Sequence, residues 1–324
     1  MMFTLLILLS VVPGETLTPG DHYRYFDQGE YRRRYLVHVP ERIDAKCPAP
    51  VVLVLHGAAM NAARTVAFTQ MNTKADEAGF IAVYPEGTGL NPLLTWNAGG
   101  LSPSMAAGKP DDVEYIERVL DDLETAVSID RQRVYATGMS NGGMMCYLLA
   151  HRLAHRIAAI APVAGTMTFD DPRPSRPVPV LHIHGDADTI VPFAGPQGNG
   201  PAPIRFKSVP ATIEAWVAAN QCPPEPRTMA EPPAAERANS PPEDPADPLA
   251  QPTLSAELRN DSTRVIRKTY GPGPGNSEVV LVVVEGGGHT WPGVPSAQWL
   301  LGKTTRRIHA NDVIWAFFSK HRLP

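Results

Sequence analysis

The sequence has few cysteines, no excess of basic residues and no apolar run long enough to cross a bilayer. Its three cysteines, Cys47, Cys146 and Cys222, allow at most one disulfide, which excludes a scaffold held by several bridges. The formal net charge of -4 over 324 residues gives no reason to expect nucleic acid as a partner. Since no segment has the length and apolarity of a spanning helix, we expect no membrane partner either.

An apolar stretch at residues 2–12 is followed by Pro13-Gly14. Its length is that of the hydrophobic core of a signal peptide. No lysine or arginine precedes the stretch and no A-x-A-like cleavage site follows it, so a frayed apolar tail or a misplaced start codon is the alternative. We expect residues 1–16 to be a signal peptide and the protein to be secreted, either outside the cell or into the periplasm.

Short, nearly continuous apolar runs alternate with amphipathic segments along most of the chain. Such runs are typical of strands buried on both faces of a parallel sheet, and they lie at residues 51–55, 80–84, 133–137, 158–164, 178–183 and 279–284. The clearest helix is predicted at 111–127, where apolar residues share one face and acids cover the other. Residues 23–39 alternate around a polar turn and predict an antiparallel hairpin. The chain is therefore predicted to form a doubly wound, mostly parallel α/β sheet with an N-terminal antiparallel hairpin.

A single domain is expected over residues 22–324. Residues 223–257 are rich in Pro, Ala, Glu and Asp and almost lack large apolar side chains. Such a segment cannot bury enough surface to offset its ordering entropy. We therefore interpret it as a disordered surface insertion within the domain.

The stretch Gly138-Met139-Ser140-Asn141-Gly142 lies between a predicted strand and a predicted helix. A sharp strand-to-helix turn requires small residues, which explains the two glycines. The turn would expose the Ser140 hydroxyl at a helix N-terminus, where negative charge is favoured. Taken alone the motif could be an ordinary glycine-rich turn, but its context favours a nucleophilic serine.

A carboxylate and a histidine follow in the order that the α/β-hydrolase fold uses, Ser then acid then His. The run from His184 to Asp188 opens the loop after the 178–183 strand, and His289 follows the 279–284 strand through three glycines. We predict Asp188 as the acid because it lies four residues after His184, beyond the turn, where its carboxylate can reach a histidine. Asp186 is instead expected to cap or hydrogen-bond that turn. His56 and His184 each precede a glycine at a strand end and are interpreted as structural.

Backbone N–H groups are expected to stabilise an oxyanion at this site. One is that of Asn141, next to the serine, and the other is that of Ala58, in the loop after the first parallel strand, with Ala59 as the next choice. An ordinary turn is the alternative interpretation of this loop. These roles need no metal and no organic cofactor, and we expect neither.

Seven stretches together resemble the secreted polyhydroxybutyrate depolymerase-like and feruloyl esterase-like α/β-hydrolases (esterase family 1-like). They are Val54-Leu55-His56-Gly57, Tyr84-Pro85-Glu86-Gly87, Trp96-Asn97-Ala98-Gly99-Gly100, Asp111-Asp112-Val113, Gly138 to Met144, the His184-Gly185-x-x-Asp188-x-x-Val191-Pro192 pattern, and Gly287 to Gly293. The resemblance covers residues 25–220 and 277–320. It implies a triad of Ser140, Asp188 and His289. It also implies that Trp96 and Trp291 line the substrate cleft, with a core position as the alternative for each.

Two departures from the family pattern concern cysteines and the Pro-rich segment. The family often has cysteines after the Trp-Asn-Ala-Gly stretch and a later one that could pair with the counterpart of Cys222, but residues 101–104 and 269–272 hold none. The resemblance therefore implies that Cys222 is unpaired or bonded to Cys47. The Pro-rich segment is foreign to the pattern and no separate substrate-binding domain is expected, which argues against an insoluble polymer as substrate.

The sequence thus predicts a serine carboxylic-ester hydrolase that acts through an acyl-enzyme. Its expected partner is an ester, either a polyhydroxybutyrate-type oligoester or a feruloyl or acetyl ester of plant polysaccharide. The alternatives are an acyltransferase or a serine peptidase on the same triad, and a non-catalytic binding protein on a hydrolase scaffold.

Overall fold

The computed structural model describes residues 16–43, 47–100, 106–196, 204–230, 261–295 and 301–324. Nearly all of the predicted signal peptide and most of the segment at 223–257 lie outside the described residues. Within the described ranges, no helix combines the length and apolarity that crossing a bilayer requires.

Most of the strands belong to one ten-stranded sheet. In chain order the strands are β1 (Gly20–Gln28), β2 (Tyr31–Val39), β3 (Ala49–Leu55), β4 (Ile81–Pro85), β5 (Thr88–Leu90), β6 (Leu93–Thr95), β7 (Ile129–Met139), β8 (Ala159–Val163), β9 (Val180–Gly185), β10 (Arg227–Ala230), β11 (Arg264–Tyr270) and β12 (Val279–Glu285). The spatial order is β1-β2-β4-β3-β7-β8-β9-β12-β11-β10, and β5 pairs with β6 as a separate hairpin.

The six central strands, from β4 across to β12, run parallel. Antiparallel strands flank them, β1 and β2 at one edge and β11 and β10 at the other. This arrangement confirms the predicted fold class, including the N-terminal hairpin. Because the carboxyl ends of the parallel strands share one edge, the loops that follow β3, β7, β9 and β12 meet there.

Helices cover both faces of the sheet. They are α1 (Ala62–Thr69), α2 (Met71–Ala78), α3 (Asp112–Glu124), α4 (Asn141–Arg152), α5 (Val209–Ala219) and α6 (Ala310–Phe318). Residues of α3, α4 and α5 pack into one hydrophobic core and residues of α1, α2 and α6 into the other. Alternate residues of β3 divide between the two, Leu53 facing the first core and Val52 the second, as the period of a strand requires.

The segment at residues 223–257 was expected to be disordered throughout, but near its start it forms a strand at the edge of the sheet. Arg227–Ala230 forms β10, which pairs antiparallel with β11, Met229 lying opposite Arg267. All four residues of β10 are exposed, so backbone hydrogen bonding rather than apolar burial holds this short edge strand. Just before it, Cys222 is a free thiol, buried beside the carbonyls of Asn220 and Ser277, so it forms no disulfide with Cys47.

A buried ion pair ties β2 to the start of α3. The Arg33 guanidinium donates to Asp112 Oδ1 at 2.6 Å and to the carbonyl of Glu86 at 3.1 Å. The two side chains are 2% and 0% exposed. The second oxygen of Asp112 accepts the Asn97 N–H at 2.7 Å, so this pair also holds the loop that follows β6.

Replacing Arg33 with methionine should destabilise the protein by about 3–5 kcal/mol, because the Asp112 carboxylate would stay buried without its cation. Arg32 is the matched control, since it is the neighbouring arginine and is exposed. Arg32→Met should change the free energy of unfolding by no more than about 0.5 kcal/mol. Urea unfolding of both variants measures this difference, and equal losses would contradict the assignment.

Candidate active site

Ser140 lies on the turn between β7 and α4 in a strained backbone conformation. Its φ of 55° and ψ of -119° lie in a region that residues with a side chain rarely adopt. Close contacts enforce the turn: a Cβ at Gly142 would lie 2.2 Å from the Leu55 carbonyl oxygen, and one at Gly165 would lie 2.1 Å from that of Ser140. Gly142 was part of the sequence motif. Gly165 lies outside that motif, and only the folded structure shows that it packs against Ser140.

Asp188 and His289 meet at the same edge of the sheet, in the loops after the neighbouring strands β9 and β12. Asp188 Oδ2 lies 2.7 Å from His289 Nδ1. The other carboxylate oxygen accepts the backbone N–H groups of Ile190 at 2.8 Å and Val191 at 2.9 Å. The side chains of the pair are 0% and 6% exposed, so bulk water competes little with this hydrogen bond.

The charge on Asp188 decides which nitrogen of His289 carries the proton. Burial opposes ionisation of this carboxyl, but the hydrogen bonds from His289 and from the N–H of Val191 hold the pKa of Asp188 below its usual value. An ionised carboxylate can only accept, so His289 donates through Nδ1. Its Nε2 is therefore the nitrogen left to accept a proton.

Asp186 has a different place in the same loop. It is exposed, and its Oδ1 accepts the N–H of Gly286 at 2.7 Å. The structure thus brings Asp188 to the imidazole and leaves Asp186 as a tie between the loop after β9 and the loop after β12.

The Ser140 hydroxyl forms no hydrogen bond with any other described residue. It lies at the end of β7, which is separated from β9 by β8 alone. Hydrogen bonds of this kind are often long before a substrate is bound. The structure therefore joins the acid and the histidine directly and places the serine at the same sheet edge.

Two backbone N–H groups beside Ser140 have no acceptor among the described residues, those of Ala58 and Asn141. The N–H of Ala59 is committed, since it donates to the Leu94 carbonyl at 2.8 Å. A Cβ at Gly57 would lie 3.7 Å from Ser140 Cβ, which shows that the loop after β3 lies against the serine. Of the two alanines considered, Ala58 is the one whose N–H can donate to a ligand.

The side chain of Asn141 clamps the backbone of Trp96, a feature that sequence reasoning missed. Its Oδ1 accepts the Trp96 N–H at 2.7 Å, and its Nδ2 donates to the Trp96 carbonyl at 3.4 Å. The clamp attaches the first turn of α4 to the loop after β6. Its two partners lie 45 residues apart, so no local sequence pattern could have indicated it.

The two tryptophans do not line a cleft, which corrects the expectation drawn from the family resemblance. Trp96 and Trp291 are each 1% exposed. The indole N–H of Trp96 donates to the His56 carbonyl and that of Trp291 to Asn311 Oδ1, both at 2.9 Å. A buried indole needs such an internal acceptor, and both rings are core residues behind the site.

Three buried histidines are neutral at pH 7. Burial lowers the pKa of His56 and of His184 to about 4 and that of His182 well below its usual value. His56 stacks on Trp96 with ring centroids 4.7 Å apart, and its Nε2 accepts the N–H of Gly87. In the part of the chain that the structure describes, His, Cys, Asp and Glu form no group of three that could hold a metal ion.

Comparison with known proteins places the chain among esterases. The family described as Esterase PHB depolymerase matches residues 34–174. NocK of Nocardia uniformis subsp. tsuyamanensis, a protein named as an esterase, is 33% identical over 278 residues, which are 81% of this chain and 72% of NocK. The bifunctional acetylxylan esterase/xylanase XynS20E of Neocallimastix patriciarum is 32% identical over 163 residues, 50% of this chain but 22% of that protein.

Two more distant similarities are a sequence relative and a solved structure. Feruloyl esterase B of Piromyces equi is 26% identical over 205 residues, 60% of this chain and 37% of that protein. The solved structure of the acetyl xylan esterase from Aspergillus awamori superposes with a TM-score of 0.54 at 14% identity, covering 85% of this chain and 96% of that one. At that identity the superposition supports the fold alone.

The stability of the protein should fall between pH 7 and pH 5. His56 and His184 take up protons near pH 6.5 in the unfolded chain but only near pH 4 in the folded protein, so acid favours unfolding across this window. Each histidine should contribute a slope of up to about 1.4 kcal/mol per pH unit. Urea unfolding at pH 7, 6 and 5 measures the slope, and His56→Gln should reduce it whereas His155→Gln, at an exposed position, should not. A stability that is constant over this range would contradict the burial of these rings.

Proposed function

The chain belongs to the esterase family of polyhydroxybutyrate depolymerases and is a carboxylic-ester hydrolase, and from that premise we propose that it cleaves its substrate through an acyl intermediate on Ser140. The observation that carries the proposal is the hydrogen bond between Asp188 Oδ2 and His289 Nδ1, at the sheet edge where the strained turn presents Ser140. That bond leaves His289 Nε2 available as the base.

In the proposed acylation step, His289 Nε2 takes the proton of Ser140 as Oγ attacks the ester carbonyl carbon. Asp188 holds the imidazole in the required tautomer and stabilises the imidazolium that forms. The N–H groups of Asn141 and Ala58 donate to the oxyanion. The tetrahedral intermediate then collapses, the C–O bond to the alcohol breaks, and His289 returns its proton to the leaving oxygen.

Deacylation repeats these roles with water as the nucleophile. His289 removes a proton from a water molecule that attacks the acyl carbonyl, and the same N–H groups hold the second oxyanion. Collapse of this intermediate releases the carboxylic acid and returns the proton to Ser140 Oγ. The cycle consumes one ester and one water and needs no cofactor.

For the substrate we propose a feruloyl or acetyl ester of plant polysaccharide or a polyhydroxybutyrate-type oligoester. Support comes from the names of the relatives, which include acetylxylan and feruloyl esterases, and from the family description. Secretion through a signal peptide at residues 1–16 stays a prediction from the apolar run at residues 2–12.

Ser140→Ala should leave the protein folded and lower ester hydrolysis by at least about 10³-fold, because the nucleophile is lost. The measurement is hydrolysis of p-nitrophenyl acetate and butyrate, with methyl ferulate, acetylated xylan and a hydroxybutyrate trimer in parallel. The ranking of the last three substrates selects the ester class. Full activity of the folded variant would refute the acyl-enzyme mechanism.

Asp188→Asn should lower kcat by about 10³- to 10⁴-fold, because an amide can favour the wrong tautomer of His289. Asp186→Asn is the matched control, since its amide oxygen can still accept the N–H of Gly286. We expect kcat of this control to stay close to that of wild type, because the contact to Gly286 is kept. Equal losses in the two variants would mean that Asp188 is not the acid.

A further inference from the structure

Behind the loop that carries Asp188, three buried side chains form an unbranched hydrogen-bonded chain that the proposed mechanism does not use. The Tyr147 hydroxyl lies 2.8 Å from His182 Nδ1. His182 Nε2 lies 3.0 Å from His184 Nδ1, and His184 Nε2 lies 2.8 Å from the Val191 carbonyl oxygen. All three side chains are at most 1% exposed.

The Val191 carbonyl sets the direction of every hydrogen bond in this chain. A carbonyl can only accept, so His184 donates through Nε2. A neutral imidazole then has an acceptor at Nδ1, which takes the proton of His182 Nε2, and His182 Nδ1 in turn accepts the Tyr147 O–H. Burial keeps both rings neutral, since it lowers the pKa of His184 to about 4 and that of His182 further. The chain therefore has one proton arrangement in which every polar atom is satisfied.

One end of the chain is bonded to Val191, the residue whose N–H binds the acid. Val191 accepts from His184 through its carbonyl, and its N–H donates to Asp188 Oδ1 at 2.9 Å. His184 Nε2 also lies 3.5 Å from Asp188 Oδ2, the oxygen that binds His289. A neutral His184 whose proton is committed to Val191 leaves that oxygen to His289, whereas a cationic His184 would compete for it.

The other end of the chain lies on the helix that follows the serine. Tyr147 is seven residues after Ser140, about two turns into α4. His182 and His184 are two residues apart on β9, and their rings stack with centroids 5.1 Å apart and planes 11° apart. The chain thus links α4 to the acid loop across one face of the sheet.

We propose that Tyr147, His182 and His184 are positioning residues that orient the Asp188 carboxylate toward His289, with His184 acting through Asp188. This inference rests on the proposed function of Asp188. The acid lies on a loop outside the strands and helices, and displacement of a catalytic group by about 1 Å can cost about 10²-fold in rate. A rigid link to the nucleophile helix limits that displacement.

The first test compares His184→Leu with His184→Gln. Leucine cannot donate to Val191, so kcat should fall about 10- to 100-fold while KM for p-nitrophenyl acetate changes by less than about threefold. Glutamine can donate through its amide and should recover most of kcat. Titration of Ser140 with a p-nitrophenyl alkylphosphonate gives kcat per competent site, so partial unfolding does not imitate the effect. An unchanged kcat per site in His184→Leu would overturn the proposal.

A double-mutant cycle separates positioning from a merely structural role. If His184 acts through Asp188, then His184→Leu should cost nothing further once Asp188→Asn is present. Equal losses in the two backgrounds would show that His184 acts independently and would overturn the proposal. Retention of activity by Ser140→Ala would instead refute the proposed function, so the two failures are distinguishable.

A milder pair of variants applies if His184→Leu does not fold. Tyr147→Phe removes the far donor of the chain, and Tyr135→Phe removes a buried hydroxyl that donates to the His321 carbonyl at 2.7 Å. We expect Tyr147→Phe to lower kcat by about threefold to tenfold, the effect of losing one hydrogen bond, and Tyr135→Phe to leave it unchanged. Equal kcat values for the two variants would overturn the role of the chain.

Discussion

The backbone at Ser140 is the constraint around which the site is assembled. A φ of 55° costs a non-glycine residue about 1–3 kcal/mol and persists only where neighbouring structure enforces it. Here α4 lies so close to the end of β3 that Gly142 has no room for a side chain, and the Ser140 N–H is fixed to the Val163 carbonyl at 2.9 Å. Strand, turn and helix therefore share one geometry, and the packing of the sheet core stabilises it.

Buried polar contacts connect this turn to the rest of the site. The side chain of Asn141 holds the Trp96 backbone, and the ion pair of Arg33 and Asp112 holds the next residue of that loop. On the other side, His184 donates to the carbonyl of Val191, and the N–H of Val191 donates to Asp188. Because unpaired polar atoms are costly in a low-dielectric interior, such contacts favour one arrangement of these loops.

Much of the fold and of the site could be predicted from the sequence, because the informative patterns are local. Apolar runs separated by amphipathic helices indicated the parallel strands, and the small residues around Ser140 indicated the turn. The edge strand β10 escaped prediction because its four exposed residues depend on backbone pairing with β11, which lies beyond a Pro-rich segment. The burial of Trp96 and Trp291 was only the alternative interpretation, since an indole suits a cleft and a core equally well until its acceptor is known.

Local sequence patterns were enough to predict the fold class and the order of serine, carboxylate and histidine, because periodicity and glycine content act over a few residues. Tertiary structure alone decided which atoms meet. Asp188 and His289 are 101 residues apart in the chain, and only the pairing of β9 with β12 brings them to 2.7 Å while Asp186 binds the backbone of Gly286. The proton positions on the histidines were decided in the same way, since burial and long-range partners, not neighbours in sequence, set whether each ring nitrogen donates or accepts.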